Sequence, residues 1–292
     1  MYEQIYFLTQ MFFKSLRGNL MFEFLYSGYN GKRGPKRRLS LEKVVALNIF
    51  RFHYKVSDLK SYHKLLSDVM IDKIPELPNY ENFLKATNKS SVFIYAFMNF
   101  LLKLNRTRNS TLHYMDSTPL TVCLNHKIRN HKVTAGYSKR GKSTKGWFFG
   151  FKLHGICNFN GDLENLVISQ ANIPDCKIAE KLSEFSYGTV FADAGYLQKN
   201  EVYERMADRG LKFESATRKN MNRLMSSFEC FHIKHRSIIE SDWGILKGNY
   251  QLEYHKARNI HGMFRHFFYS LSAYMIDRSL DFYLDCFKLL LE

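Results

Sequence analysis

Three acidic residues in this chain have the types and settings that phosphoryl-transfer chemistry needs. Asp116 closes an apparent strand, TLHYMD; Asp193 closes another, GTVFAD; and Glu240 lies in a helical stretch, KHRSIIESDWGILK. Carboxylates held on separate elements and brought to one point can bind a pair of divalent cations. Two such ions about 3.5 to 4 Å apart activate an attacking oxygen and stabilise the leaving one in phosphodiester chemistry. An all-oxygen ligand set suits Mg2+, with Mn2+ able to substitute.

The elements that must hold these acids change character along the chain. Up to about residue 105 the sequence reads as helical: LSLEKVVALNIFRF with Ser40 as N-cap and Glu42 in the first turn, then DLKSYHKLL, then the apolar run from Ser91 to Leu104. Lys43 stands three residues after Ser40, so no capping box is expected there. Pro75 and Pro78 mark a turn between helices. From Thr111 the segments TLHYMD, WFFGFKLHGICN and ENLVIS are β-rich, the last two joined by an Asn160, Gly161, Asp162 turn. Then come a helix from about 175 to 185, the strand GTVFAD, a helix from about 199 to 209, the strand LKFESAT, one long helix carrying Glu240, and an amphipathic helix from 259 to 291. This order predicts an α/β fold, a mixed sheet with a three-strand meander followed by alternating strands and helices. It places Asp116 and Asp193 near carboxyl ends of strands, where ligands of such sheets bind. The predicted division is a helical region over 1–105, expected to bind DNA, and a catalytic domain over 106–292 that includes the C-terminal helices.

Charge narrows the partner. The 292 residues carry a formal net charge of +16, and clustered Lys and Arg release counterions from a phosphate backbone and steer association over long range. Between Asp116 and Asp162 there is no Asp or Glu, while Lys127, Arg129, Lys132, Lys139, Arg140, Lys142, Lys145 and Lys152 all fall there. Such a stretch repels itself unless an anion lies on it. The run GKRGPKRR, ending in Lys36, Arg37 and Arg38, is either a basic linker lying along phosphates or a solvated connector. KSTKGWFFGFKLHG interleaves bases with aromatics, a combination suited to backbone contacts with stacking on unpaired bases. Within it Phe149 and Phe151 read as core fillers, and Lys152 and His154 as DNA contacts. Five widely spaced cysteines without a CxxC pair read as reduced thiols in an intracellular protein. No signal peptide is expected, and the longest apolar run falls short of the roughly 20 residues of a membrane span. Cys230, His232 and His235 suggest zinc, but no second ligand pair has the spacing to complete a site.

Glu240 has an argument of its own. At about 100° per residue, a single helix sets Arg236, Glu240, Trp243 and Lys247 within roughly 60° of one another. The acid then lies beside the apolar side of its helix, where a carboxylate is costly unless a cation compensates it. The plainer reading is an i to i+4 ion pair with Arg236 on a half-exposed helix.

With HYMDSTPL, GWFFGFKLHG, NIPD, FADAGY and RSIIESDWGILK in this order between Thr111 and Lys247, the chain resembles transposases of bacterial insertion sequences. The likeness is to the Asp-Asp-Glu (DDE) type with a ribonuclease-H-like core, and within it to the insertion sequence nine-eighty-two branch. The resemblance implies that Asp116, Asp193 and Glu240 hold two Mg2+ ions and that the core cuts and joins double-stranded DNA at element ends. It also implies a homodimer on DNA, with no membrane partner, in the bacterial cytoplasm at the nucleoid. Related groups carry Tyr, two residues, Arg, three, Glu, six, Lys around the last acid. Arg236, Glu240 and Lys247 match and would grip DNA, whereas Ile233 stands at the Tyr position. Two rivals share the same residues: a nuclease that cuts without joining, and a non-catalytic DNA-binding regulator.

Overall fold

The structure is a computed structural model and describes residues 1–30, 37–217 and 224–289. Its elements run α1 (Tyr2–Ser15), α2 (Leu20–Asn30), α3 (Leu41–Phe50), α4 (Leu59–Val69), α5 (Tyr80–Lys89), α6 (Ser91–Arg106), β1 (Leu112–Cys123), β2 (Lys139–Ser143), β3 (Gly146–Asn158), β4 (Leu163–Gln170), α7 (Cys176–Leu182), β5 (Gly188–Ala192), α8 (Asn200–Ala207), β6 (Leu211–Ser215), α9 (Ser227–His235), α10 (Ser237–Gly248) and α11 (Ile260–Leu289). The chain divides into two compact units, one of residues 1–101 and 246–292, the other of residues 102–245. The C-terminal helix α11 therefore groups with the N-terminal helices.

The helical unit is built from amphipathic helices with side-chain caps. Ser40 accepts from the Lys43 N–H at 3.3 Å and starts α3, and Asp58 accepts from the Ser61 N–H at 2.8 Å and starts α4. Phe12, Phe13 and Phe97 fill its core together with α3 residues Val44, Val45 and Leu47. Among the described residues no helix is long and apolar enough to cross a membrane.

The second unit is a mixed α/β layer around a six-stranded sheet ordered β2, β3, β1, β5, β6, with β4 also paired to β3. β1, β3 and β4 form the expected antiparallel meander, and β5 and β6 run parallel to β1. The face beneath α7 and α8 buries Met115, Ile156, Val190, Ala192, Tyr196, Met206 and Phe213 in one cluster with Ala179 and Leu182.

Three features depart from the sequence reading. First, β1 does not end at Asp116 but continues to Cys123, because β3 partners it along the whole length, pairing Asp116 with Gly155 and Thr118 with Leu153. Only the parallel pairing with β5 stops early, at Tyr114 with Phe191. Pro119, which has no N–H to give, lies on the part of β1 that β5 has left, where a strand tolerates it. Second, the basic segment Lys139–Ser143 is a strand, hairpinned to β3 through Gly146 at φ 114°. Third, the helix carrying Glu240 is two helices broken at Arg236, the first opened by a capping box between Ser226 and Glu229.

Candidate active site

The parallel register explains how two of the acids meet. Tyr114 of β1 lies opposite Phe191 of β5, so Asp116 and Asp193, each two residues further on, leave their pair of strands side by side. Asp193 then turns the chain: its Oδ1 accepts from the Gly195 N–H at 2.9 Å and caps the short 3-10 turn Ala194–Tyr196. Glu240 arrives from above the sheet. Three residues beyond it Trp243 is buried on β3 at Gly155, the residue that faces Asp116 across the ladder. A Cβ at Gly155 would stand 2.5 Å from the Trp243 Cη2 atom. The absence of a side chain at that one position is what lets α10 lie so close.

Arg236 ties the three elements together. Its Nη1 lies 3.0 Å from Asp116 Oδ1 and its Nη2 lies 2.8 Å from Glu240 Oε1. Its charge also acts on Asp193. The break between α9 and α10 places this guanidinium, with only 15% of its side chain exposed, beneath the start of the helix.

The electrostatics differ from residue to residue. Burial holds the Asp116 carboxyl up to about 7, against the pull of Arg236, and the nearby Asp193 and Glu240 push the same way as burial. Asp193 is also raised, first by burial, with Asp175 and Glu240 adding to it and Arg236 opposing. Glu240 is the exposed member, with 53% of its side chain open to solvent. The expectation of a costly carboxylate on an apolar helix face is thereby corrected: the i to i+4 pair with Arg236 is present, and the desolvated acid is Asp116. The apolar side of α10 is Ile239 and Trp243, both buried.

Among the described residues no three His, Cys, Asp or Glu side chains gather closely enough to hold a metal ion. The acids form an electrostatic cluster spanned by an arginine rather than a closed coordination set. The chemistry of the donors nonetheless suits a hard divalent cation: all are carboxylate oxygens, and burial holds two of them above the ordinary carboxylate range despite Arg236.

A fourth acid belongs to this neighbourhood and was read from sequence only as the end of NIPD. Asp175 raises Asp193, and its Oδ2 lies 3.6 Å from where a Cβ of Gly195 would be, with Asp193 Oδ1 at 3.0 Å from the same point. Lys152 donates to Asp175 at 2.7 Å and to the Ile173 carbonyl at 3.0 Å. The motif itself was visible; its approach to Asp193 depends on the loop before α7, which no periodicity encodes.

The basic residues sort by their surroundings. Lys139, Arg140, Lys142 and Lys145 are exposed on the β2 to β3 hairpin, with Lys142 lying 5.9 Å from the ring centre of an exposed Trp147. His154 is fully buried between Tyr196 and Ser169, and burial lowers its pKa to about 4, so it is a neutral core histidine rather than a surface contact. Lys152 is committed to Asp175, and Lys247 lies 3.4 Å from Glu253. Arg37 donates to the Tyr29 carbonyl at 2.8 Å and stacks on that ring, while Arg38 is exposed and Lys36 lies outside the described residues. Phe151 is buried, as expected of a core filler. His232, one of the three residues that suggested zinc, is buried in an aromatic cluster with Phe191 and Phe228 and meets the Tyr114 hydroxyl at 2.8 Å.

Comparison with known proteins adds one finding. A family model described as "Transposase DDE domain" matches residues 106–260, more than half of the chain and all three acids. No curated protein and no solved structure matches.

Proposed function

Because the chain belongs to the DDE transposase family, a family of DNA-cutting enzymes that use divalent metal, we propose that it cuts DNA at the ends of an insertion sequence and joins those ends to target DNA. Asp116, Asp193 and Glu240 are the catalytic acids of this reading and would hold the divalent cations, Mg2+ with Mn2+ as a substitute. The observation that carries it is the meeting of Asp116, Asp193 and Glu240 around Arg236, from three separate elements. Such ions, when bound, supply activation of the attacking oxygen and stabilisation of the leaving one.

Everything else is done by the chain. Arg236 neutralises the acids in the absence of other cations and must release Asp116 and Glu240 before they can turn to new partners. Trp243, seated on Gly155, fixes the height of α10 and so the reach of Glu240. The exposed hairpin bases Lys139, Arg140, Lys142 and Lys145 offer charge to the DNA backbone beside Trp147, a ring open for stacking. Water attacks the phosphodiester at the element end, and the freed 3′-hydroxyl then attacks the target. Both are in-line displacements in which positioning and charge stabilisation do the catalysis. The sheet and its acids fit a ribonuclease-H-like core of the insertion sequence nine-eighty-two kind, and bringing two DNA ends together favours a homodimer.

The joining step is the one to test. With Mg2+ and a pre-cleaved end carrying a free 3′-hydroxyl, the native chain is expected to yield joined product and Glu240→Gln to yield none. Joined product from Glu240→Gln would remove Glu240 from the site, and cleavage without joining by the native chain would leave a nuclease.

A further inference from the structure

The helical unit contains a cavity of about 710 Å³ whose walls come from α3, α4, α5, the first turns of α11 and the segment leading into it. None of the three acids lines it. Its charged lining is Arg51, Arg265, Lys60, Lys256 and Arg258 against one acid, Asp58. That acid is already occupied as the cap of α4, accepting from both the Ser61 N–H and hydroxyl.

Arg51 is the anomaly. It is only 6% exposed, yet among the described residues no carboxylate pairs with it, and its Nε has no hydrogen-bond partner. Its Nη2 meets His266 Nδ1 at 3.1 Å. His266 Nε2 lies 2.9 Å from the Gln251 carbonyl, which can only accept, so Nε2 carries the proton and Nδ1 is the acceptor for Arg51. The histidine is therefore a neutral prop that orients the guanidinium, whose other neighbours are the Phe52 ring at 4.9 Å and the longer-range charge of Asp58, neither of them a carboxylate in contact. Burial keeps His266 uncharged and pulls Arg51 down only to about 10, still cationic at neutral pH. Arg265 is the second case: it is half-buried, burial lowers it too, and among the described residues its hydrogen-bond partner is the Ser91 hydroxyl at 3.2 Å. Leaving a buried charge without a counter-ion typically costs several kcal/mol. A buried guanidinium and a half-buried one lining the same cavity, with no carboxylate in contact with either among the described residues, call for an anion there.

We propose that this cavity is a phosphate site that takes a nucleotide unit of a DNA strand, with the phosphate set against Arg51 and Arg265 and the rim charges Lys256 and Arg258 following the backbone. The size decides against a bare phosphate ion as the sole occupant, because about 300 to 1,000 Å³ is the range of pockets for whole small molecules. The basic lining is an anion site whatever the reaction; choosing DNA as the source of the phosphate rests on the transposase reading.

The test uses the full-length chain with Arg265→Met and Arg258→Ala. A short fluorescent duplex is bound over a range of salt concentrations, and melting is followed in sodium phosphate and in sodium chloride of equal ionic strength. Each variant is expected to lower the slope of log affinity against log salt by roughly 0.9, the share of one phosphate contact. Phosphate is expected to raise the melting temperature of the native chain but not of Arg265→Met. Unchanged slopes with phosphate still stabilising would mean that the cavity takes free phosphate and not DNA, which overturns the proposal. Unchanged slopes with no phosphate effect would overturn the anion site altogether. Arg258 is exposed, so its variant carries the test if Arg265→Met fails to fold. Loss of cleavage in Asp116→Asn with an unaltered salt slope would speak to the acids alone, which keeps the two readings separable.

Discussion

Gly155→Ala is the smallest change expected to disable the site without touching an acid. The added methyl would sit 2.5 Å from Trp243 Cη2 and 2.8 Å from Cζ2, where ordinary contact begins at 3.4 Å, so the indole must retreat by about 0.9 Å. The ring cannot do so freely, since Trp243 is 4% exposed and Leu166 lies 3.2 Å from the same point. Overpacking of this kind costs about 1–3 kcal/mol, and the displaced helix carries Glu240 three residues away. Displacement of a catalytic group by about 1 Å costs about 100-fold in rate. Urea unfolding should therefore show the stability loss, and single-turnover cleavage of an element-end duplex with Mg2+ should show a rate loss larger than stability explains. Trp243→Phe removes the two clashing atoms, so Gly155→Ala should cost less in that background than in the native chain, by more than the about 0.5 kcal/mol within which uncoupled sites add. Equal costs of Gly155→Ala in both backgrounds, or native cleavage by the single variant, would refute the seating of Trp243 as the device that sets Glu240.

Asp116 is raised from its usual 3.8 to about 7, so its ionisation opposes folding: the cost is absent below the lower value, grows between the two and is complete above the higher. At 1.36 kcal/mol per unit this is roughly 4 kcal/mol as an upper figure. Asp116→Asn should accordingly be more stable than the native chain near pH 8 and approach it as the pH falls below 3.8, by denaturant titration without divalent ions. His266 is held well below 6.5, so the unfolded chain takes up a proton that the folded one refuses, and stability falls as pH drops below that value. His266→Gln should flatten the acid side of the stability profile by up to about 1.4 kcal/mol per pH unit.

What the sequence made legible was local. Ser40 announced its helix by type and position, and the Asn160 to Asp162 turn announced its hairpin; both depend on neighbours a few residues apart. The acids were legible as types at motif positions, but their ranking was not. Asp116 is the desolvated residue and Glu240 the exposed one, a ranking set by which elements cover each carboxyl in the folded chain and not by its neighbours in sequence. Lys152 and His154 sit two apart on one strand, hence on one face, yet one reaches Asp175 and the other is sealed under Tyr196. Alternation alone cannot say which element covers a face. Arg51 was invisible for the same reason, because its meaning comes from His266, 215 residues away.

The claim that Asp116, Asp193 and Glu240 act as one site is tested most directly by single-turnover cleavage of an element-end duplex with Mg2+, comparing Asp116→Asn, Asp193→Asn, Glu240→Gln and the triple variant. Groups that act as a unit are grossly non-additive, so each single change is expected to lower the rate about as far as all three together. A single variant that cleaves at close to the native rate, or losses that simply multiply, would contradict it.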